Sequence, residues 1–149
     1  MAAGNAHAER RGYRGYVTSR EFGGMRIPVP VQSLVLRDYC ARKGILYKLH
    51  VNENMFRHSY LVLEGLVRDL SAVQGILMCS MFMLPHRAAR RGRIIGAILK
   101  QRAELHLVLE DIVIRRPDDA LVVEEVLSAA AQLPHCPARI PNELIAREW

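Results

Sequence analysis

Several familiar signatures of function are missing from this 149-residue sequence. It has no G-x-G-x-x-G and no phosphate-loop consensus, so a dinucleotide or nucleoside triphosphate cradled by those backbone turns is not expected. The regularly spaced acidic loop of EF-hands and the H-E-x-x-H pair of zinc proteases are absent too. His50, His58, His86 and His106 share no ligand spacing, and the reading is of no metal and no cofactor. Cysteine is scarce: Cys40, Cys79 and Cys136 are an odd number without paired spacing, which suits reduced thiols rather than a disulfide framework. No stretch approaches the roughly 20 apolar residues of a membrane span, and the first residues lack an apolar core of signal-peptide length. A cytoplasmic, non-membrane protein is expected. Aromatic residues make up only 6%, and no row of them accompanies the basic residues, which counts against nucleic acid as a partner.

What is present describes one globular α/β domain. Half the residues are hydrophobic and 24% are charged, enough apolar material for a real core. A net charge of +6 and a pI near 9.7 favour acidic partners such as phosphates or sugar nucleotides. Residues 1–11 are small, polar and aperiodic and read as a disordered leader. Residues 12–133 form the domain, and 134–149, broken by Pro134, Pro137 and Pro141, an extension with a turn of helix over Asn142–Trp149.

Strands are expected at Gly15–Ser19, Ile45–Val51, Ile76–Leu84 and Leu105–Ile114. The helical period of Val31, Leu34, Val35 and Tyr39 marks a helix opened by Pro30 and stopped at Gly44. Tyr60, Leu63, Val67 and Leu70 mark a second, Ile94, Ile95, Ile98 and Leu99 a third. Val122 to Ala130 mark a last one capped by Asp118 or Asp119. Strands alternating with helices imply right-handed crossovers and a mostly parallel sheet. The expected architecture is a three-layer α/β sandwich, four strands in the order 2-1-3-4, flavodoxin-like, with ligands bound where the chain reverses direction between strands one and three.

The stretch Gly75–Arg93 is the centre of the candidate site. An apolar strand is followed by His86, Arg87, Arg90, Arg91 and Arg93, and a helix N-terminus, already partly positive, tolerates such crowding only if an anion offsets it. The loop after strand one adds Ser19, a candidate nucleophile or hydroxyl donor, with Arg20 and Arg26 bracketing Gly23–Gly24 as a phosphate clamp. Tyr16, His58, His86, Arg90 and an apolar wall of Met81 and Phe82 complete the substrate-binding candidates. Glu53, Glu110 and His106 are candidates for proton exchange. Each has a plainer alternative: a cap for Ser19, solvated charge for the arginines, a loop carboxylate for Glu53, a hydrogen-bonded core histidine for His106.

Two resemblances follow from the residues. Gly12-Tyr13-Arg14-Gly15-Tyr16, Ser19-Arg20, Pro28, Gln32, Leu34-Val35 and Arg37-Asp38-Tyr39-Cys40 resemble the opening of the sporadic carbohydrate cluster proteins. Ser59 to Glu64, Met81 to Pro85 and Leu105-His106 with Glu110 extend the likeness over most of Gly12–Ile114. More distantly, the layout resembles the catalytic domain of serine recombinases, which open with Tyr-x-Arg-Val-Ser and later carry Asp-Arg-Leu-x-Arg. Here the strand reads Tyr16-Val17-Thr18-Ser19, and the later motif is replaced by Leu84-Pro85-His86-Arg87-Ala88-Ala89-Arg90.

The first resemblance implies an enzyme of carbohydrate or natural-product biosynthesis. Its substrate would be a sugar or sugar phosphate; a proton transfer of the isomerase or epimerase type suits the residue inventory, which carries no redox-cofactor motif and no metal cluster. The alternatives are a noncatalytic scaffolding module, or a degenerate serine-recombinase-like nucleic-acid binder. A homo-oligomer joined through the last helix and Trp149 suits any of them.

Overall fold

The computed structural model describes residues 9–53 and 55–135. Most of the expected leader and extension, with Asn54, Cys136 and Trp149, lie outside the described residues. The sheet has five strands rather than four: β1 (Tyr13–Val17), β2 (Tyr47–Asn52), β3 (Gly75–Met78), β4 (Glu104–Leu107) and β5 (Ile112–Ile114), in the order β2-β1-β3-β4-β5. β1 to β4 are parallel, and β5 runs antiparallel to β4. The stretch expected as one fourth strand is thus a hairpin. Asp111 takes a positive φ of 52°, and polar Glu110 and Asp111 supply the turn that an apolar count reads as a mere interruption.

Among the described residues, α1 (Val29–Lys43), α2 (Leu61–Arg68) and α3 (Ala88–Lys100) connect the parallel strands, and α4 (Pro117–Gln132) follows β5. The chain steps one way from β1 to β2, then back across β1 to β3 and on to β4. Right-handed crossovers therefore place α1 on one face and α2 and α3 on the other. Helix α4 packs on α3 and β5 and joins the second layer. Among the described residues, no helix is long and apolar enough to cross a membrane.

All four residues of β3 are buried, as a parallel strand covered on both faces requires. The strand is shorter than the apolar run Ile76–Leu84 suggests. Ser80 accepts the Phe82 amide and starts a 3-10 turn at Met81–Met83, and a continuous apolar stretch cannot distinguish a buried strand from a buried turn. Helix α1 also departs from expectation. Its buried face is Gln32, Ser33, Leu36, Tyr39 and Cys40, whereas Val31 and Leu34 face solvent. Buried polar groups, each needing a partner, define that face. At α4, Asp119 sits in the first turn and accepts the amides of Arg115 and Arg116 at 2.9 and 3.0 Å; the cap position itself is Arg116, not an aspartate.

Gly75 pairs with both β1 and Glu104 of β4. A Cβ there would collide with the Glu104 carbonyl oxygen. Gly75→Ala is expected to lower stability by about 3 kcal/mol through this overpacking of backbone on backbone, read as a drop in the urea midpoint; an unchanged midpoint would show that the two strands can separate at no cost.

Candidate functional site

Thr18 is the first residue past β1, and its backbone has no strand partner beyond Val17 and Asn52. Gln32 of α1 supplies one. Its amide oxygen accepts the Thr18 N–H at 3.2 Å, and its nitrogen donates to the Thr18 and Ile27 carbonyls at 2.6 and 2.7 Å. The side chain is fully buried, so all of this polarity is satisfied inside the protein. Beyond it the chain turns at Gly23–Gly24, whose φ values of 58° and 75° are those of a two-residue hairpin turn. Phe22 and Met25 close the turn with paired backbone bonds of 2.9 and 3.0 Å.

A second loop reaches the same edge from β2. Glu53 is 3% exposed and accepts from the Tyr16 hydroxyl at 2.9 Å and from the Val62 and Leu63 amides at 3.2 and 3.0 Å. Those amides belong to the first turn of α2, where a carboxylate is favoured. Burial first, and then the Glu53 charge, hold the Tyr16 hydroxyl protonated far above its ordinary range. The Tyr16–Glu53 pair therefore ties β1 to α2 and sets the position of the loop over residues 55–60.

Between these loops lies an open cleft of about 430 Å³ at the carboxyl ends of β1 and β3. Ser19, Arg20, Arg26, His58, Phe82 and His86 line it, so six of the sequence candidates do converge. Arg57, Met55 and Tyr60 join them. Tyr60 is the residue that pattern reading assigns to the apolar stripe of a helix. In the fold it is the residue before α2, and its ring lies under two guanidinium groups, Arg20 at 4.6 Å and Arg90 at 4.9 Å from the centroid. Cation–π attraction of this kind is worth about 0.5–2 kcal/mol and lets two like charges share one small region.

The remaining candidates are elsewhere. Met81 is core. Glu110 bonds the Ser80 hydroxyl at 2.5 Å and the Met81 amide at 3.1 Å, pinning the turn after β3. Glu53 is occupied as described. His106 lies on β4, which ends at Leu107, short of Glu110. Its partners are Tyr39 of α1 at 2.7 Å and Glu104 at 2.7 Å, with Tyr13 and Arg115 completing the cluster around Glu104. This is a hydrogen-bonded core histidine, remote from the cleft.

The arginine crowding at the start of α3 is offset, but by the protein's own carboxylates. Arg90 pairs with Glu64 at 2.8 Å and also donates to the His58 carbonyl at 3.2 Å. Arg91, 5% exposed, forks onto both oxygens of Glu124 at 2.9 and 2.7 Å and donates to the Pro85 and His86 carbonyls. Sequence spacing could not show that Glu64 on α2 and Glu124 on α4 flank the same helix. Hydrogen bonds from Arg90 and Arg91 lower the proton affinity of Glu64 and Glu124 below the usual carboxylate level. By contrast, burial raises the thiols of Cys40 and Cys79, to about 11 and about 12, so neither is a thiolate at neutral pH.

Solved structures resemble this fold. The chain is similar to the N-terminal catalytic domain of TP901-1 integrase (TM-score 0.59, 16% identity, 82% of this chain and 96% of that one). It is also similar to a resolvase-family site-specific recombinase from Streptococcus pneumoniae (TM-score 0.51, 12% identity, 83% and 88%). The fold resembles that of recombinase catalytic domains. No protein-family model and no curated protein matches the sequence. The fold side of the two resemblances thus holds, and the carbohydrate-cluster side has no support. With recombinase and integrase domains as neighbours, the expected sugar-modifying isomerase, its sugar or sugar phosphate ligand and the exclusion of nucleic acid are all withdrawn.

Two outcomes test the internal pairs. Arg91→Met should cost about 3 kcal/mol, because it strands Glu124 and two carbonyls, whereas Arg90→Met, at a more exposed pair, should cost about 1 kcal/mol or less; urea denaturation separates them. The second concerns His106, whose pKa burial lowers from 6.5 against the pull of Glu104. The unfolded chain then binds a proton that the folded chain refuses, so stability is complete above about pH 6.5 and falls as pH drops toward the folded value. Although burial opposes it, hydrogen bonds from His106 and Arg115 hold the Glu104 carboxyl below its usual 4.5, so its own loss starts only at lower pH. The wild-type urea midpoint should fall between about pH 6.5 and 5 more steeply than that of His106→Gln; parallel curves would exclude a neutral buried imidazole.

Proposed function

We propose that this chain is a recombinase-like nucleic-acid-binding domain that holds a phosphodiester backbone in the cleft without cutting it. The observation that carries the reading is the convergence of Arg20, Arg26 and Arg57 with His58, His86 and Ser19 on the carboxyl edge of β1 and β3, on a fold shared with integrase and resolvase-family domains. Arginine recognises phosphate oxygens through paired donors, and the Ser19 hydroxyl adds another donor. The net charge of +6 favours approach to a polyanion. Arg26 is held only loosely, 4.0 Å from the exposed Glu21, so a phosphate can displace that pairing at little cost.

Cleavage is not part of the reading, for two reasons. The strand lacks the arginine of Tyr-x-Arg-Val-Ser. Where recombinases carry Asp-Arg-Leu-x-Arg, this chain has no aspartate, and Arg90 is committed to Glu64. A transferring phosphoryl group needs cations aimed at its oxygens in a prepared site.

Duplex DNA binding, measured by anisotropy across a salt series, tests this. The logarithm of affinity should fall linearly with the logarithm of salt, and Arg26→Ala and Arg57→Ala should each reduce the slope by about 0.9, one phosphate contact apiece. Absence of binding at about 50 mM salt, or slopes unchanged in the Arg26→Ala/Arg57→Ala pair, would overturn the binding role. A covalent protein–DNA adduct that disappears in Ser19→Ala would overturn the noncleaving part alone.

A further inference from the structure

The loop between β2 and α2 has two sides. On one side its backbone is strapped down: Arg20 donates to the Phe56 carbonyl at 3.4 Å, Arg90 to the His58 carbonyl at 3.2 Å, and Ser59 closes a turn back to Phe56 at 3.1 Å. His58 adopts a φ of 59° to make that turn. On the other side stand Met55 and Phe56, each 78% exposed. Single exposed apolar residues are ordinary; two adjacent large ones on a tethered loop tip, at the rim of a cationic cleft, call for a ligand. Met55 and Arg57, the neighbours of Phe56, both line that cleft.

We infer that Met55 and Phe56 form an apolar wedge that stacks on an unpaired or unstacked nucleic-acid base while the cleft cations hold the adjoining phosphates. This rests on the nucleic-acid reading above and specifies which nucleic acid the site prefers. Three features select a base over a protein partner. Arg20, Arg26 and Arg57 line the cleft beside the wedge, against Glu21 as the one carboxylate of its lining, and their guanidinium groups match a phosphate backbone. Two side chains are far too small a patch for a protein interface, which buries about 800 Å² per partner. The flat ring of Phe56 with a flexible thioether beside it suits a base face, and apolar side chains inserted at a base step are a recurrent device where cations grip the flanking strand.

The test compares a short labelled duplex with the same duplex carrying a one-nucleotide gap, using 2-aminopurine beside the gap as a stacking reporter. Wild type should bind the gapped duplex about tenfold more tightly than the intact one, the scale of one base–aromatic stack, and should change the 2-aminopurine emission. Phe56→Ala should bring the gapped duplex down to the affinity of the intact one, and Phe56→Tyr should restore the preference. Equal wild-type affinity for the two duplexes, with the expected salt slope, overturns the wedge and leaves the phosphate-binding reading standing. No binding to either duplex removes both. If Phe56→Ala keeps the preference but alters the sedimentation of the protein, the tip belongs to a protein interface and the wedge is overturned.

Discussion

The buried amide of Gln32 is the interaction on which the candidate site depends. A parallel strand that ends inside a protein leaves its next backbone groups without a ladder, and water is not there to take them. Gln32 bonds both the N–H and the carbonyl of Thr18, and the Ile27 carbonyl as well. One side chain thereby fixes where the chain leaves β1 and where it enters α1. Ser19, Arg20, Arg26 and the glycine turn all hang between those two points. The Tyr16–Glu53 pair does the corresponding work for the loop over residues 55–60, since it joins β1 to the amides that open α2. The edge of the sheet is therefore rigid at its base, and its cations project from a defined frame.

Charge is distributed with the same logic. Arg90 and Arg91 begin α3, where the helix itself disfavours cations, and each is neutralised by a carboxylate from a neighbouring helix. Those pairs join α2, α3 and α4 into one layer. The aromatic ring of Tyr60 then brings Arg20 close to Arg90 without requiring a further acid. Arg20, Arg26 and Arg57, with two histidines, are the basic residues that line the cleft.

Much of the fold was legible in the order of residues. The alternation of strand and helix and the parallel core follow from periodicity, the cleft at the reversal between β1 and β3 from the strand order, and the loop at Gly23–Gly24 from its two glycines. The misreadings have local causes. Ile76–Leu84 is apolar throughout, so the end of β3 at Met78 was hidden until Ser80 was seen to cap a turn. Leu105–Ile114 is apolar enough to pass for one strand, and the positive φ at Asp111 makes it two. On α1 the buried face carries Gln32 and Ser33, which a count of apolar positions assigns to solvent.

The site was legible only in part, because its residues come from separate loops. Ser19, Arg20, Arg26, His58, Phe82 and His86, candidates by their position after strands, line the cleft; Tyr60, Arg57 and the Met55–Phe56 tip are not among the candidates, since nothing in their spacing distinguishes them. The exclusion of nucleic acid rests on the lack of an aromatic row along the chain, yet Phe82 and Tyr60 line the same cleft as the arginines. Composition, charge, the alternating elements and the candidate loops can be read along the chain, because those depend on residues near one another in it. Tertiary structure alone decided which charges are spent on internal partners and which face the cleft, because Arg91 and Glu124, or Tyr16 and Glu53, become neighbours only when the sheet brings distant segments to within hydrogen-bond distance.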